Sequence, residues 1–142
     1  MSIKKVLYRA NASATSNSNR QVSIIAGNIE LKVTSPKEIE GNEGDTTSPE
    51  QLFAAGYSAC FLGALQFVAE RDKITIPDDV SIECSAGIGA IPNGFGIIEV
   101  DLKISLPGLS HEIAEALVAK AHIVCRYSNA TRGNIDVHLT II

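Results

Sequence analysis

The 142-residue chain has no basic block: 12 Lys and Arg stand against 16 Asp and Glu, for a net charge of −4. Nucleic acid is not an expected partner, because a phosphate backbone is held by a concentrated Lys/Arg surface. No uninterrupted apolar run reaches the ~20 residues of a membrane helix. The longest, Leu52 to Val68, is broken by Tyr57, Ser58 and Gln66, so no membrane partner is expected either. Lys4 and Lys5 near the N-terminus are not followed by a long apolar stretch. That start does not read as a secretion signal, and a cytoplasmic location is expected. Cysteine is scarce and odd in number, with Cys60, Cys84 and Cys125. A structural disulfide framework is therefore not expected, and any Cys–Cys bond would be transient. Composition alone favours reading all three as buried apolar fillers.

Other signatures are missing too. Gly87-Ile88-Gly89 lacks the third glycine of a dinucleotide-binding turn and lies in a predicted strand, and no phosphate loop is present. His111, His122 and His138 are scattered. His122 and Cys125 stand at i, i+3 and could share a metal, but no third ligand is evident and zinc wants at least three. No metal or cofactor is expected.

What remains is a chain with 45% hydrophobic and 20% charged residues, which suits a single domain over 1–142. Lys5 to Ala14, Val22 to Ala26 and Ile29 to Val33 read as strands, separated by Ser16-Asn17-Ser18-Asn19 and Gly27-Asn28. Residues 35–47 read as a polar loop. Ser48, Pro49 and Gln51 then signal a helix start, and the helix is expected to run to about Arg71. It is apolar around nearly its whole circumference, so it must be buried on every side. A domain of this size with few helices can hardly wrap it alone, and a homodimer is expected. Val80 to Ile91 and Phe95 to Leu106 read as a hairpin around Pro92-Asn93-Gly94. Ser110 caps a second helix ending near Arg126 to Asn129, and Ile135 to Ile142 closes the chain as a strand. The order predicts an α+β fold with mostly antiparallel sheets.

Cys60 falls in the middle of the apolar helix, where burial alone would make a thiol inert. A reactive Cys60 needs a cation brought by another segment. Cys125 falls near the end of the second helix, where the helix dipole disfavours a thiolate.

The stretch Ser48-Pro49-Glu50-Gln51-Leu52-Phe53-Ala54-Ala55-Gly56-Tyr57-Ser58-Ala59-Cys60-Phe61 resembles the signature helix of organic hydroperoxide resistance proteins, within the wider OsmC-like family. Val124-Cys125-Arg126-Tyr127-Ser128-Asn129-Ala130-Thr131-Arg132-Gly133-Asn134 is similar to the family's second-cysteine motif, and residues 87–96 to the hairpin between the two. The similarity covers nearly the whole chain from Val6. It implies an OsmC-like fold, an intertwined homodimer with two central helices wrapped by antiparallel sheets. It also implies reduction of organic and fatty-acid hydroperoxides through two cysteines, with recycling by a dithiol such as a lipoylated protein or dihydrolipoamide. By motif match Cys60 is the peroxidatic thiol, Cys125 the resolving thiol and Glu50 the acidic partner of an active-site arginine. Glu50 and Cys60 are ten residues apart, or ~15 Å along a helix axis, so Glu50 is expected to serve the site of the partner subunit.

Two departures stand out. The family's arginine follows two glycines in the first turn, whereas here Ser18 falls at that place and Arg20 two residues later. Arg20 is the candidate to swing in. Arg126 replaces the family's proline and could supply a cation or lower the Cys125 pKa, although such a charge is more often solvated. Arg132 is expected in a structural ion pair, Tyr127 as a wall residue and Cys84 as a filler. Phe53, Leu62, Phe67 and Phe95 are candidate apolar walls. The rival reading is a weakly active relative that binds apolar ligands or senses oxidation through Cys60.

Overall fold

Alternating β-branched residues and a Gly27-Asn28 turn build the first hairpin. The structure, a computed structural model, describes residues 5–16, 21–34 and 47–142. Strands β1 (Ser13–Ser16), β2 (Val22–Ala26) and β3 (Ile29–Val33) form an antiparallel sheet in that order. Ala26 pairs with Ile29 across the turn, and Gly27 takes φ 60°, which only glycine adopts without strain. The expected strand Lys5 to Ala14 gives way to β1 at Ser13–Ser16, and 5–12 pair in no regular strand among the described residues. The chain divides into two compact units, Met1–Pro49 and Glu50–Ile142.

Among the described residues, the second unit carries three helices and a second sheet. Helix α1 spans Pro49–Arg71, 23 residues. By length and composition it is apolar enough to cross a membrane, despite the interruptions in its apolar run. Its Tyr57, Phe61, Leu65 and Val68 follow i, i+4, i+8, i+11 and are fully buried in the core, together with Ala64 and Ala69. The opposite face, Ala55, Ala59, Gly63 and Phe67, is open in the single chain, with Phe67 58% exposed. Burial is thus one-sided in one copy, where the sequence demanded cover all round.

Strands β4 (Ser81–Ile91) and β5 (Gly94–Ser105) form the predicted hairpin. Ile91 pairs with Gly94, so the turn residues are Pro92 and Asn93 rather than Asn-Gly. Proline presets φ for the first turn position, and Gly94 absorbs the φ of 143° at the strand's start. The register slips between Gly87 and Ile88, leaving Ile98 as an extra residue on β5. Gly89 lies beneath the Ile98 side chain, and a Cβ on Gly87 would sit 3.0 Å from Glu99 Cγ. Gly87-Ile88-Gly89 therefore seats a bulge.

Helix α2 (His111–Val124) starts at Ser110, whose hydroxyl accepts from the Ile113 N–H at 3.3 Å. It ends earlier than expected, at Cys125, and a separate six-residue helix α3 (Arg126–Thr131) follows. Strand β6 (Asp136–Ile141) then pairs parallel with β5, Val100 with Val137 and Leu102 with Leu139, while the other described strand pairs are antiparallel, as expected of mostly antiparallel sheets. Val100, Leu102 and Ile104 of β5 point into a core shared with Ala114, Leu117, Val118 and Ala121 of α2. Fully burying one such side chain contributes about 1.5–3 kcal/mol.

Candidate active site

Cys60 sits on α1 one turn past Tyr57 and is half-buried. Cys125 fills the break between α2 and α3 and is only 1% exposed. The two free sulfurs face each other at 3.5 Å, Cys125 donating its S–H. A disulfide is about 2.05 Å long, so closing one needs a shift of ~1.5 Å. A half-open thiol in contact with a buried one is an arrangement in which the first can be oxidised from outside and the second can then attack it.

Burial pushes the Cys125 thiol above its ordinary range, and the neighbouring Cys60 adds to this. The backbone N–H and hydroxyl of Ser128 oppose it by favouring the thiolate. Cys125 therefore rests as a neutral thiol because it is buried. The helix-end argument fails, since Cys125 is the C-cap of α2 and also the N-cap of α3, where the dipoles act in opposite senses.

Ser128 is the residue that the sequence did not single out. Fully buried, it joins three helices: its Oγ lies 2.8 Å from Tyr57 Oη on α1 and 2.9 Å from His122 Nδ1 on α2. Thr131 Oγ1 lies 3.4 Å from Tyr57 Oη and donates to the carbonyls of Tyr127 and Ser128 at 3.0 and 3.3 Å. Desolvation holds His122 below the usual imidazole range, and the Arg132 charge adds to this. His122, Cys125 and Ser128 are spaced three apart, the local signal by which the sequence could point to Ser128.

Tyr127 packs against the core, on Tyr57 at 5.5 Å and Phe53 at 6.0 Å between ring centroids. Gly56 gives it room: a Cβ there would collide with the Tyr127 hydroxyl and lie 3.0 Å from its Cζ. Phe53 and Leu62 are half-buried, while Phe67 and Phe95 are exposed. Arg132 forms no ion pair among the described residues; it donates to Asn129 Oδ1 and, at 2.7 Å, to the His122 carbonyl, latching α3 to α2. Arg126 is exposed and takes no part in shifting Cys125. Cys84 is half-buried on β4, its thiol pushed up to about 11 by burial and the nearby Asp101. Glu50 holds a buried Oε2 with no hydrogen-bond partner among the described residues. Arg20 lies outside the described residues.

Residues 41–140 match the family model described as OsmC-like protein. An organic hydroperoxide resistance protein of Xanthomonas axonopodis pv. citri (strain 306) is 52% identical over 138 residues, covering 97% of this chain and 96% of that one. The chain belongs to the OsmC-like family, in its organic hydroperoxide resistance branch. Crystal structures agree with the assignment of fold. An organic hydroperoxide resistance protein from Elizabethkingia anophelis superposes with a TM-score of 0.87 at 45% identity, covering 97% of this chain and 98% of that one. One from Legionella pneumophila gives 0.85 at 46%, covering 96% and 98%. The OsmC-like α+β fold read from the two cysteine motifs is thus the fold of this branch.

Proposed function

We propose that this chain is a thiol peroxidase that reduces organic hydroperoxides, fatty-acid hydroperoxides among them, to alcohols. The observation that carries the reading is the pair of free sulfurs, one half-open and one buried, 3.5 Å apart. The names of its organic hydroperoxide resistance relatives support the substrate class. The Cys60 thiolate attacks the O–O bond; with one proton taken up by the departing oxygen, the products are a Cys60 sulfenic acid and the alcohol. Cys125 then attacks the Cys60 sulfur. The S–O bond breaks, water leaves and a Cys60–Cys125 disulfide remains. A dithiol, such as dihydrolipoamide or a lipoylated protein, reopens it by exchange and is itself oxidised to a disulfide.

The buried Glu50 carboxylate oxygen, which has no hydrogen-bond partner among the described residues, suits a guanidinium partner. In this reading Arg20 supplies it and steadies the thiolate and developing oxyanion, with Glu50 holding the arginine in a subunit-shared site. The open face of α1 at Ala55, Ala59, Gly63 and Phe67 supports a homodimer. The reaction needs no metal or bound cofactor and fits a cytoplasmic setting. The test is steady-state consumption of cumene hydroperoxide with dihydrolipoamide. Turnover lost in Cys60→Ser and Cys125→Ser and strongly reduced in Arg20→Ala is expected. Wild-type turnover no faster than Cys60→Ser would overturn the enzyme reading in favour of an apolar-ligand binder or thiol sensor.

A further inference from the structure

The sulfur contact has a companion one turn away on both helices. Tyr57 precedes Cys60 by three residues on α1, and Ser128 follows Cys125 by three on α3. Three residues are close to one helical turn, so each hydroxyl stands about a turn along its helix from a sulfur. Two successive rungs therefore join α1 to the start of α3. One is Tyr57 Oη to Ser128 Oγ at 2.8 Å, the other Cys60 Sγ to Cys125 Sγ at 3.5 Å.

Only the oxygen rung is fit to fix the register. A thiol is a weak donor and a weak acceptor, so the sulfurs cannot hold each other in place. Tyr57 and Ser128 are fully buried, and a buried hydroxyl that loses its partner finds no water to replace it. Ser128 Oγ also meets His122 Nδ1 of α2 at 2.9 Å. With one proton and two lone pairs it can hold both neighbours in either imidazole tautomer. The Cys125 backbone is fastened on both sides: its N–H donates to the Ala121 carbonyl at 2.8 Å, and its carbonyl accepts from the Asn129 N–H at 2.9 Å. The break that carries Cys125 is thus tied to α1 through the Ser128 hydroxyl.

We propose that Tyr57 and Ser128 are positioning residues for disulfide formation, their hydroxyl bond setting the register of α3 on α1 that keeps Cys125 on Cys60. Its place in the cycle, the attack of Cys125 on the Cys60 sulfenic acid, rests on the peroxidase reading. The bond moves no proton to or from sulfur. It raises the effective concentration of one sulfur at the other, and a misplacement of about 1 Å costs such a step about 10²-fold. Speed matters here, because a half-open sulfenic acid left waiting meets a second peroxide and is lost as sulfinic acid.

The effective molarity of Cys125 at Cys60 tests this without peroxide. In a Cys84→Ala background, Cys60 is loaded with one equivalent of Ellman's reagent. Attack by the Cys125 thiolate on that mixed disulfide forms the Cys60–Cys125 bond and expels thionitrobenzoate, with a first-order constant. In a Cys84→Ala, Cys125→Ser background, 2-mercaptoethanol attacks the same mixed disulfide with a second-order constant. The ratio of the two is the effective molarity. Tyr57→Phe removes one hydroxyl and leaves the ring to pack on Phe53 and Tyr127; Ser128→Ala removes the other.

Each variant is expected to lower the effective molarity by about 10²-fold, with the second-order constant within about twofold of wild type. The double variant is expected within about twofold of the lower single, because one bond is lost in all three. A wild-type effective molarity in either single variant overturns the positioning role. So do falls that multiply in the double variant, and so does equal slowing of both constants, which is the mark of a merely structural defect. A parallel arm gives the reduced wild type cumene hydroperoxide. Failure to consume it, with the effective molarity still lost in the variants, sinks the peroxidase reading and upholds the positioning of Cys125.

Discussion

Replacing Gly56 by Ala sets two physical effects against each other. Helix propensity alone favours the substitution by about 1 kcal/mol in a helix interior. In this fold the new methyl meets the Tyr127 ring: it collides with the hydroxyl and lies 3.0 Å from Cζ and 3.2 Å from Cε2. Tyr127 packs on the Phe53 and Tyr57 rings at 6.0 and 5.5 Å, so moving away from the methyl gives up those contacts. Overpacking of this kind costs about 1–3 kcal/mol, so the net expectation is a loss of about 1 kcal/mol, or roughly 3–5 °C in Tm. Urea and thermal denaturation of wild type, Gly56→Ala, Tyr127→Phe and the double variant measure it. The double variant loses less than the sum of the singles, because the hydroxyl that the methyl strikes is gone. A Gly56→Ala protein more stable than wild type, at the propensity value, would refute the assigned position of Tyr127 over α1.

Cys84, pushed up to about 11, carries about 10⁻³ thiolate at pH 8, so alkylation by iodoacetamide runs ~100-fold slower than for a thiol of pKa 9. The folded state disfavours that thiolate, so its contribution to stability is present below pH ~9 and fades as pH rises from there toward 11. Phe61→Ala removes a fully buried ring from the core and costs about 3–5 kcal/mol in denaturant titrations. His122 binds its proton less tightly folded than unfolded. Stability therefore falls as pH drops below the unfolded value near 6.5, and that part of the slope disappears in His122→Gln.

The local parts of the fold were legible. The edges of β2 and β3 and the start of α1 followed from β-branched runs, Gly27-Asn28 and Ser48-Pro49. The break at Cys125 was not, because cysteine is no N-cap signal and the apolar period of α2 runs straight into Val124. Val137, Leu139 and Ile141 announce a strand but carry no mark of its direction, so the parallel pairing of β6 with β5 was invisible. The cysteine pair is 65 residues apart and was named by motif resemblance, not by spacing. Ser128 escaped notice because its two partners come from two other helices, and no local pattern records that Tyr57 and His122 meet on one hydroxyl.

The most direct test of the Cys60–Cys125 partnership is a non-reducing peptide map after one equivalent of cumene hydroperoxide is added to fully reduced protein. The account predicts a single linked peptide pair containing Cys60 and Cys125, two thiols lost per chain and Cys84 still free. A free Cys125 beside oxidised Cys60, or a link that includes Cys84, would contradict it.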